Sequence, residues 1–134
     1  MLLQLETEKV KYSTSSLSGF DLNNYALQLE KLMTEKKLFR DNEINLTKLS
    51  KELGISSHIL SQVLNQHYNI NFYEYINQFR IDEVKKQLLI KENQNLTIIS
   101  IAFDAGFNSK SSFQKIFKKY VGKTPSTYMK ENLK

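Results

Sequence analysis

The chain has 134 residues, of which 40% are hydrophobic and 25% are charged, proportions that are usual for a soluble globular protein. It contains no cysteine, which excludes disulfides and thiolate metal sites, and its four glycines and one proline disfavour a loop-rich all-β fold. No apolar run approaches the length of a membrane helix, and the apolar start at residues 2–5 is too short for a signal peptide. The expected location is the cytoplasm.

The net charge of +5 is concentrated near the C-terminus. Residues 105–134 contain seven lysines and one glutamate, a net charge of +6, whereas the other 104 residues sum to −1. A local basic surface is typical of a protein that binds a polyanion. A solvated helix face would have the same composition, so the charge alone does not decide between the two interpretations.

The first 40 residues predict an arm followed by a helix. Residues 1–20 have no sustained period and include a polar, turn-rich stretch, so we expect a linker or a loosely held arm. Residues 21–40 predict an amphipathic helix that supports the segment after it, with dimerisation or signal relay as the alternative role. The apolar positions of this helix are Leu22, Tyr25, Ala26, Leu29, Leu32 and Met33.

Residues 97–122 predict two short helices joined by a tight turn. Thr97 can cap the first helix, and Gly106 lies where the chain must turn with a positive φ. Asn108 and Ser109 are both good caps for the second helix, and Gly122 ends it. A short capped helix, a glycine turn and a polar, basic second helix are typical of a helix-turn-helix.

The second helix of this pair has two different faces. The residues at inward spacing are Phe113, Ile116, Phe117 and Tyr120. The residues on the outward face are Lys110, Ser111, Gln114, Lys115 and Lys118.

The same pattern occurs 52 residues earlier, at residues 45–69. Gly54 falls at the position of Gly106, and Asn69 falls at the position of Gly122. The second exchange is compatible with the backbone, because asparagine tolerates the left-handed conformation better than other non-glycine residues. Two such units in one chain are difficult to explain by coincidence.

The second helix of the earlier unit has no lysine or arginine on its outward face. The polar residues there are His58, Ser61, Gln62 and Asn65. Amide side chains can read adenine edges in the major groove, and serine can contact bases or phosphates. We therefore predict base contacts from this helix, with an ordinary solvated face as the alternative.

Residues 71–91 give the longest continuous helix signal and connect the two units. Arg80 lies among apolar neighbours, so we expect a structural ion pair or a snorkelling side chain, with a phosphate contact as the alternative. The expected buried positions are Tyr75, Ile76, Phe79, Val84, Leu88 and Leu89.

Taken together, these residues resemble the DNA-binding domain of the AraC/XylS family of bacterial transcription regulators. The strongest match is the string IAxxxGFxSxSxFxxxFKxxxGxxPxxY at residues 101–128, and Tyr75-Ile76-x-x-x-Arg80 matches the family's linker helix. The resemblance covers about residues 42–130. The stretch at residues 11–39 is similar to the segment ahead of this domain in regulators of the Bacteroidetes group.

The resemblance implies an all-α fold with two helix-turn-helix units, about 45–70 and 97–122, joined by a linker helix at about 71–91. The DNA-binding domain would span residues 41–134, preceded by the extra N-terminal helix. Both recognition helices would enter successive major grooves, about 34 Å apart. The positions then expected at DNA are Ser57, His58, Ser61, Gln62 and Asn65 in the first unit and Ser109, Lys110, Ser111, Gln114, Lys115 and Lys118 in the second.

The predicted function is sequence-specific binding of double-stranded DNA in transcription regulation; the alternative is a non-specific DNA-binding or protein-interaction module. The resemblance implies a sensor domain N-terminal to this chain in a longer protein, tethered to a membrane in some relatives, and a homodimer is a further option. No enzyme motif, cofactor or small-molecule site is evident. No metal site is predicted, since the only histidines, His58 and His67, lie nine residues apart.

Overall fold

The computed structural model describes residues 17–133, and the regular structure in this part of the chain is helical, which confirms the predicted all-α class. The described residues form two compact units, one of residues 17–36 and 45–72 and the other of residues 37–44 and 73–133. Among the described helices, none is both long enough and apolar enough to cross a bilayer. The predicted arm lies outside the described residues except for its last four positions.

The first unit begins with helix α1, Gly19–Lys31, which continues into a π-helical turn, Leu32–Lys36. The Ser18 side chain caps α1 by accepting a hydrogen bond from the Asp21 backbone N–H at 3.1 Å. The helix ends earlier than predicted, because Lys37 has a left-handed backbone (φ 50°) and the residues after it belong to the second unit. The buried side chains of this segment are Ala26, Leu29 and Met33.

The helix-turn-helix of the first unit consists of α2, Leu46–Leu53, and α3, Ser57–Val63, which continues as a π-helical turn, Leu64–Tyr68. Gly54 has a φ of 73° in the turn between the helices, and Asn69 has a φ of 57° after the second. The left-handed conformation predicted for Asn69 is therefore confirmed. The fully buried core side chains of these helices are Leu49, Leu60, Val63 and Leu64.

The second unit contains most of the long helix α4, Phe72–Leu88, and three further helices. These are α5, Ile98–Asp104, then α6, Lys110–Val121, and α7, Pro125–Asn132. As predicted, Thr97 caps α5, where its hydroxyl accepts a hydrogen bond from the Ser100 backbone N–H at 3.1 Å. A 3-10 turn, Lys91–Asn93, follows α4, which therefore ends three residues before the predicted limit.

A row of aromatic rings forms much of the core of the second unit. Phe113 lies 5.2 Å from Phe107 and 5.7 Å from Phe117, and the Tyr128 ring of α7 lies 5.8 Å from Phe117, all measured between ring centroids. Tyr120, which was expected to face inward, is 37% exposed. That expectation was wrong even though Tyr120 keeps the helical spacing of the buried stripe, seven residues after Phe113; it lies in the last turn of α6.

The turn between α5 and α6 is packed against the short segment 38–41. Gly106, in this turn, has a φ of 114°, and a Cβ atom there would lie 2.2 Å from the Phe39 carbonyl oxygen. Arg80 from α4 donates from Nε to the Phe39 carbonyl at 2.7 Å and from a terminal nitrogen to the Asp41 carbonyl at 2.9 Å. Arg80 is thus a structural residue, as expected, but its hydrogen-bond partners here are backbone carbonyls rather than a carboxylate.

The Arg80 guanidinium is also packed on an aromatic ring. Its central carbon lies 5.8 Å from the centroid of Phe107, directly after Gly106. Burial lowers the pKa of Arg80, and the charge of Asp41 partly opposes this shift. Since arginine is effectively always protonated, the group remains a cation that holds two carbonyls and one ring in place.

Glu83 is a buried carboxylate in the same unit, with a side chain that is only 7% exposed. It is ion-paired with Arg40 and lies 3.7 Å from the Lys37 ammonium, and Gln87 donates to it at 3.2 Å. Burial raises the pKa of Glu83, but the hydrogen bond and charge of Arg40, with smaller contributions from Lys37 and Gln87, outweigh burial and hold it below its usual value of 4.5.

Replacing Gly106 by alanine should destabilise the second unit. The left-handed backbone would cost about 1–2 kcal/mol, and overlap with the Phe39 carbonyl should add about 1–3 kcal/mol. Gly122→Ala is the matched control, since Gly122 has a φ of 87° but no heavy atom within 4 Å of its would-be Cβ. Urea denaturation followed by circular dichroism measures the unfolding free energy of both variants. Equal losses of stability in the two variants would contradict the close approach at Gly106.

The Glu83 ion pairs should make stability depend on pH. Because its pKa is lowered in the folded state, the unfolded chain binds the proton more tightly, and stability is lost as pH falls below about 4.5 towards the folded value. Glu83→Gln should lower the unfolding free energy by about 1–2 kcal/mol at pH 7, with the deficit shrinking in acid. Thermal unfolding from pH 7 to pH 3, with the exposed Glu92→Gln as control, measures this; a deficit that stays constant with pH would contradict it.

Candidate nucleic-acid interface

Helix α6 is fixed at both ends and along its inner side. Ser109, one of the two caps that the sequence offered, caps its start by accepting a hydrogen bond from the Ser112 backbone N–H at 3.1 Å. Gly122 ends it in the left-handed conformation, with its N–H donating to the Lys118 carbonyl at 2.8 Å. Because Phe113 and Phe117 are buried, the opposite side of α6 must face outward.

The outward side of α6 is polar and basic, as predicted. The exposed side chains are Lys110, Ser111, Gln114, Lys115, Lys118 and Lys119, while Ser109 is partly exposed. Within the described residues no carboxylate is paired with Lys110, Lys115 or Lys118. Lys123, just beyond the helix, is instead ion-paired with Glu131 of α7. The positive charge on α6 is therefore left available for an external anion.

A groove of about 780 Å³ runs beside α6 in the second unit. One wall is the start of α5, with Ile98 and Ile99, and another is the start of α7. The α6 residues that line it are Lys110, Phe113, Gln114, Lys115, Lys118 and Lys119, and the α7 side contributes Thr124, Pro125 and Ser126. Four lysines and two hydroxyl side chains therefore surround a concave surface whose floor is apolar.

Sequence reasoning did not assign Lys119, Thr124 or Ser126 to the site. Lys119 was counted only among the lysines of residues 105–134. Thr124 and Ser126 follow the recognition helix, where the sequence pattern indicated only a helix end. The chain bends back at Gly122, so the start of α7 lies beside α6, and no local pattern reports that proximity.

Helix α3 of the first unit offers a smaller polar surface. Ser56, rather than Ser57, caps this helix, and the Ser57 hydroxyl lies 3.3 Å from that of buried Ser50. His58 and Ser61 are partly exposed, and Asn65 is exposed on the π-helical turn that follows α3. Four of the five residues predicted here, Ser57 included, are therefore at least partly exposed, and they add no positive charge.

Gln62 was predicted to lie on the outward face, and this was wrong. Its side chain is only 1% exposed, together with its neighbours Val63 and Leu64. Both α1 and α2 pack on α3, so more of the circumference of this helix is covered than the sequence of the helix-turn-helix alone suggested. Gln62 is therefore not one of the surface residues of the first unit.

The first unit has a small pocket at the place that corresponds to the groove of the second. It measures about 120 Å³ and is lined by Leu46, Ser61, Leu64, Asn65, Ile70, Asn71 and Phe72. Leu46 lies 52 positions before Ile98, at the start of the first helix of its unit, as Ile98 does in the second unit. The internal repeat therefore extends to the surface. The pocket of the first unit is small and lined by neutral residues, whereas the groove of the second unit is larger and lined by lysines.

Replacing Gln62 by alanine should affect folding rather than DNA sequence preference. Loss of a buried amide and its packing should lower the unfolding free energy by about 1–3 kcal/mol. Asn65→Ala, on the exposed turn that follows, is the control and should change it by less than about 0.5 kcal/mol. If Gln62→Ala altered the preferred duplex sequence at unchanged stability, the buried position of Gln62 would be contradicted.

Comparison with known proteins agrees with this architecture. A family model described as a helix-turn-helix domain matches residues 49–131. A C-terminal domain of the two-component response regulator yesN from Fusobacterium nucleatum is 29% identical, with a TM-score of 0.67 over 79% of this chain and 98% of that one. The fold of two helix-turn-helix units is therefore shared with a domain of known structure.

Two curated regulators are also similar in sequence. The Msm operon regulatory protein of Streptococcus mutans is 28% identical over 97% of this chain and 45% of its own length. The transcriptional activator AarP of Providencia stuartii is 34% identical over 65% of this chain and 62% of its own length. The present sequence thus spans less than two thirds of each relative. With the family match over residues 49–131, the chain belongs to the AraC-type helix-turn-helix family of DNA-binding transcription regulators.

Proposed function

We propose that this chain binds double-stranded DNA through the outward faces of α3 and α6, and that α6 supplies most of the attraction to phosphate. The observation that carries the proposal is the row of exposed lysines on α6, which have no carboxylate partners among the described residues. Each lysine that neutralises a phosphate releases a condensed counterion, which favours binding at low salt.

The polar side chains between these lysines suit base readout. Gln114 is exposed on the same face as Lys115, and both residues line the groove. A glutamine amide can bond adenine N6 and N7, and a lysine can donate to guanine O6 and N7, in the major groove. We propose that these two residues carry base discrimination in the second unit, while Lys110, Lys118 and Lys119 hold the backbone.

The first unit would contribute base contacts with little added charge. Its exposed or partly exposed polar residues are His58, Ser61 and Asn65, and this face has no lysine or arginine. If the two helices occupy successive major grooves, this unit adds sequence information and the second adds both information and electrostatic attraction. A non-specific DNA-binding or protein-interaction module would not need the amide side chain of Asn65 on this surface.

The names of the relatives support a regulatory role. The Streptococcus relative is an operon regulatory protein, and the Providencia relative is a transcriptional activator. We infer that the chain acts in the bacterial cytoplasm as the DNA-binding part of a longer regulator in which another domain senses the signal. Two half-sites could be occupied by the two units of one chain, and a homodimer would double that number.

The lysines of α6 should determine the salt dependence of DNA binding. Removing one phosphate contact with Lys118→Gln should reduce the slope of log K against log salt by about 1, whatever the duplex sequence. Gln114→Ala should instead weaken discrimination at one base pair by about 1–3 kcal/mol and leave the slope unchanged. Fluorescence anisotropy with labelled duplexes at several salt concentrations measures both quantities.

Lys86→Gln is the matched control, since Lys86 is exposed in the same unit but does not line the groove. It should leave the salt slope close to that of the wild-type chain. Equal effects of Lys86→Gln and Lys118→Gln would contradict a phosphate site on α6 and would favour diffuse attraction by the net charge.

A further inference from the structure

We propose that the segment 38–41 and Arg80 together position the recognition helix α6, and so determine how accurately the second unit reads bases. This inference rests on the proposed binding of DNA by α6. It concerns residues that do not face the groove themselves and that lie partly outside the helix-turn-helix match, which begins at residue 49.

The segment is held to the second unit by several independent contacts. Arg80 donates to the carbonyls of Phe39 and Asp41, and the Phe39 ring stacks on Phe79 with centroids 5.9 Å apart. Arg40 is ion-paired with buried Glu83. Phe39 itself is buried. A peptide that precedes the first helix-turn-helix in the sequence is therefore packed into the unit that contains the second helix-turn-helix.

This segment contacts the turn that sets the direction of α6. The Phe39 carbonyl lies so close to Gly106 that no side chain fits between them. Ser109, the cap of α6, is only three residues after Gly106. The Arg80 guanidinium lies over the ring of Phe107, which is between these two residues in the sequence. The turn is consequently confined by the Phe39 carbonyl and by the Arg80 guanidinium, which lies against both Gly106 and the Phe107 ring.

Small changes at this turn would be amplified at the bases. Helix α6 has 12 residues and is therefore about 18 Å long, so a tilt of about 10° at its start would displace its far end by about 3 Å. Hydrogen bonds to base edges tolerate only a few tenths of an ångström. Phosphate contacts by flexible lysines tolerate much more, so base discrimination should be lost before affinity.

Selection from a randomised duplex library tests this with the full chain. Wild-type protein should enrich two short motifs. Lys115→Ala should no longer enrich one of them, and that one is then assigned to α6. Arg80→Lys keeps the charge but loses the planar fork whose two nitrogens bond the two carbonyls, so base preference within the α6 motif should fall at least about fivefold. The motif read by α3 should keep its preference within about twofold. Phe39→Ala should behave in the same way.

Leu88→Ala is the control for simple loss of stability, since Leu88 is buried in the same unit at the far end of α4. All variants are compared at a temperature well below unfolding, which is checked by circular dichroism. If Arg80→Lys kept the α6 motif, or if Leu88→Ala at equal stability lost it as fully, the positioning role would be overturned. If wild-type protein enriched no motif, the proposed DNA readout would itself be contradicted, so the two failures are distinguishable.

Discussion

The two hydrogen bonds from Arg80 to the carbonyls of Phe39 and Asp41 are the contacts on which the second unit depends most. They fix a peptide from early in the sequence against the turn before α6, where Gly106 leaves just enough room for it. The same guanidinium rests on Phe107, which begins the aromatic row that buries the inner side of α6. One side chain of the long helix thus contacts both the early segment and the turn before the recognition helix.

The two helix-turn-helix units share a backbone plan but differ in their chemistry. Left-handed residues, Gly54 with Asn69 and Gly106 with Gly122, occur at matching positions. The surfaces differ because the second unit exposes lysines along α6 while the first exposes neutral polar groups, and because α1 helps to cover α3 in the first unit. This asymmetry supports a division of work in which one unit attracts the phosphate backbone and both contribute to sequence preference.

Local features of the fold could be predicted from the sequence, and non-local ones could not. The cap at Thr97 and the left-handed turn at Asn69 depend on side chains and backbone within a few residues, and both were predicted. Gln62 is buried on a helix against which both α1 and α2 pack, and the N-terminal helix ends early where residues 37–44 join the other unit. Helical periodicity contains no information about such distant partners, whereas charge counting along the chain did identify the basic face of α6.

Hydroxyl-radical footprinting of the chain on its selected duplex would test the central claim most directly, namely that both units bind one duplex. Each unit should protect its own group of sugars. Lys118→Gln should weaken protection in one group only. A single protected group, or uniform protection along the duplex, would contradict the account.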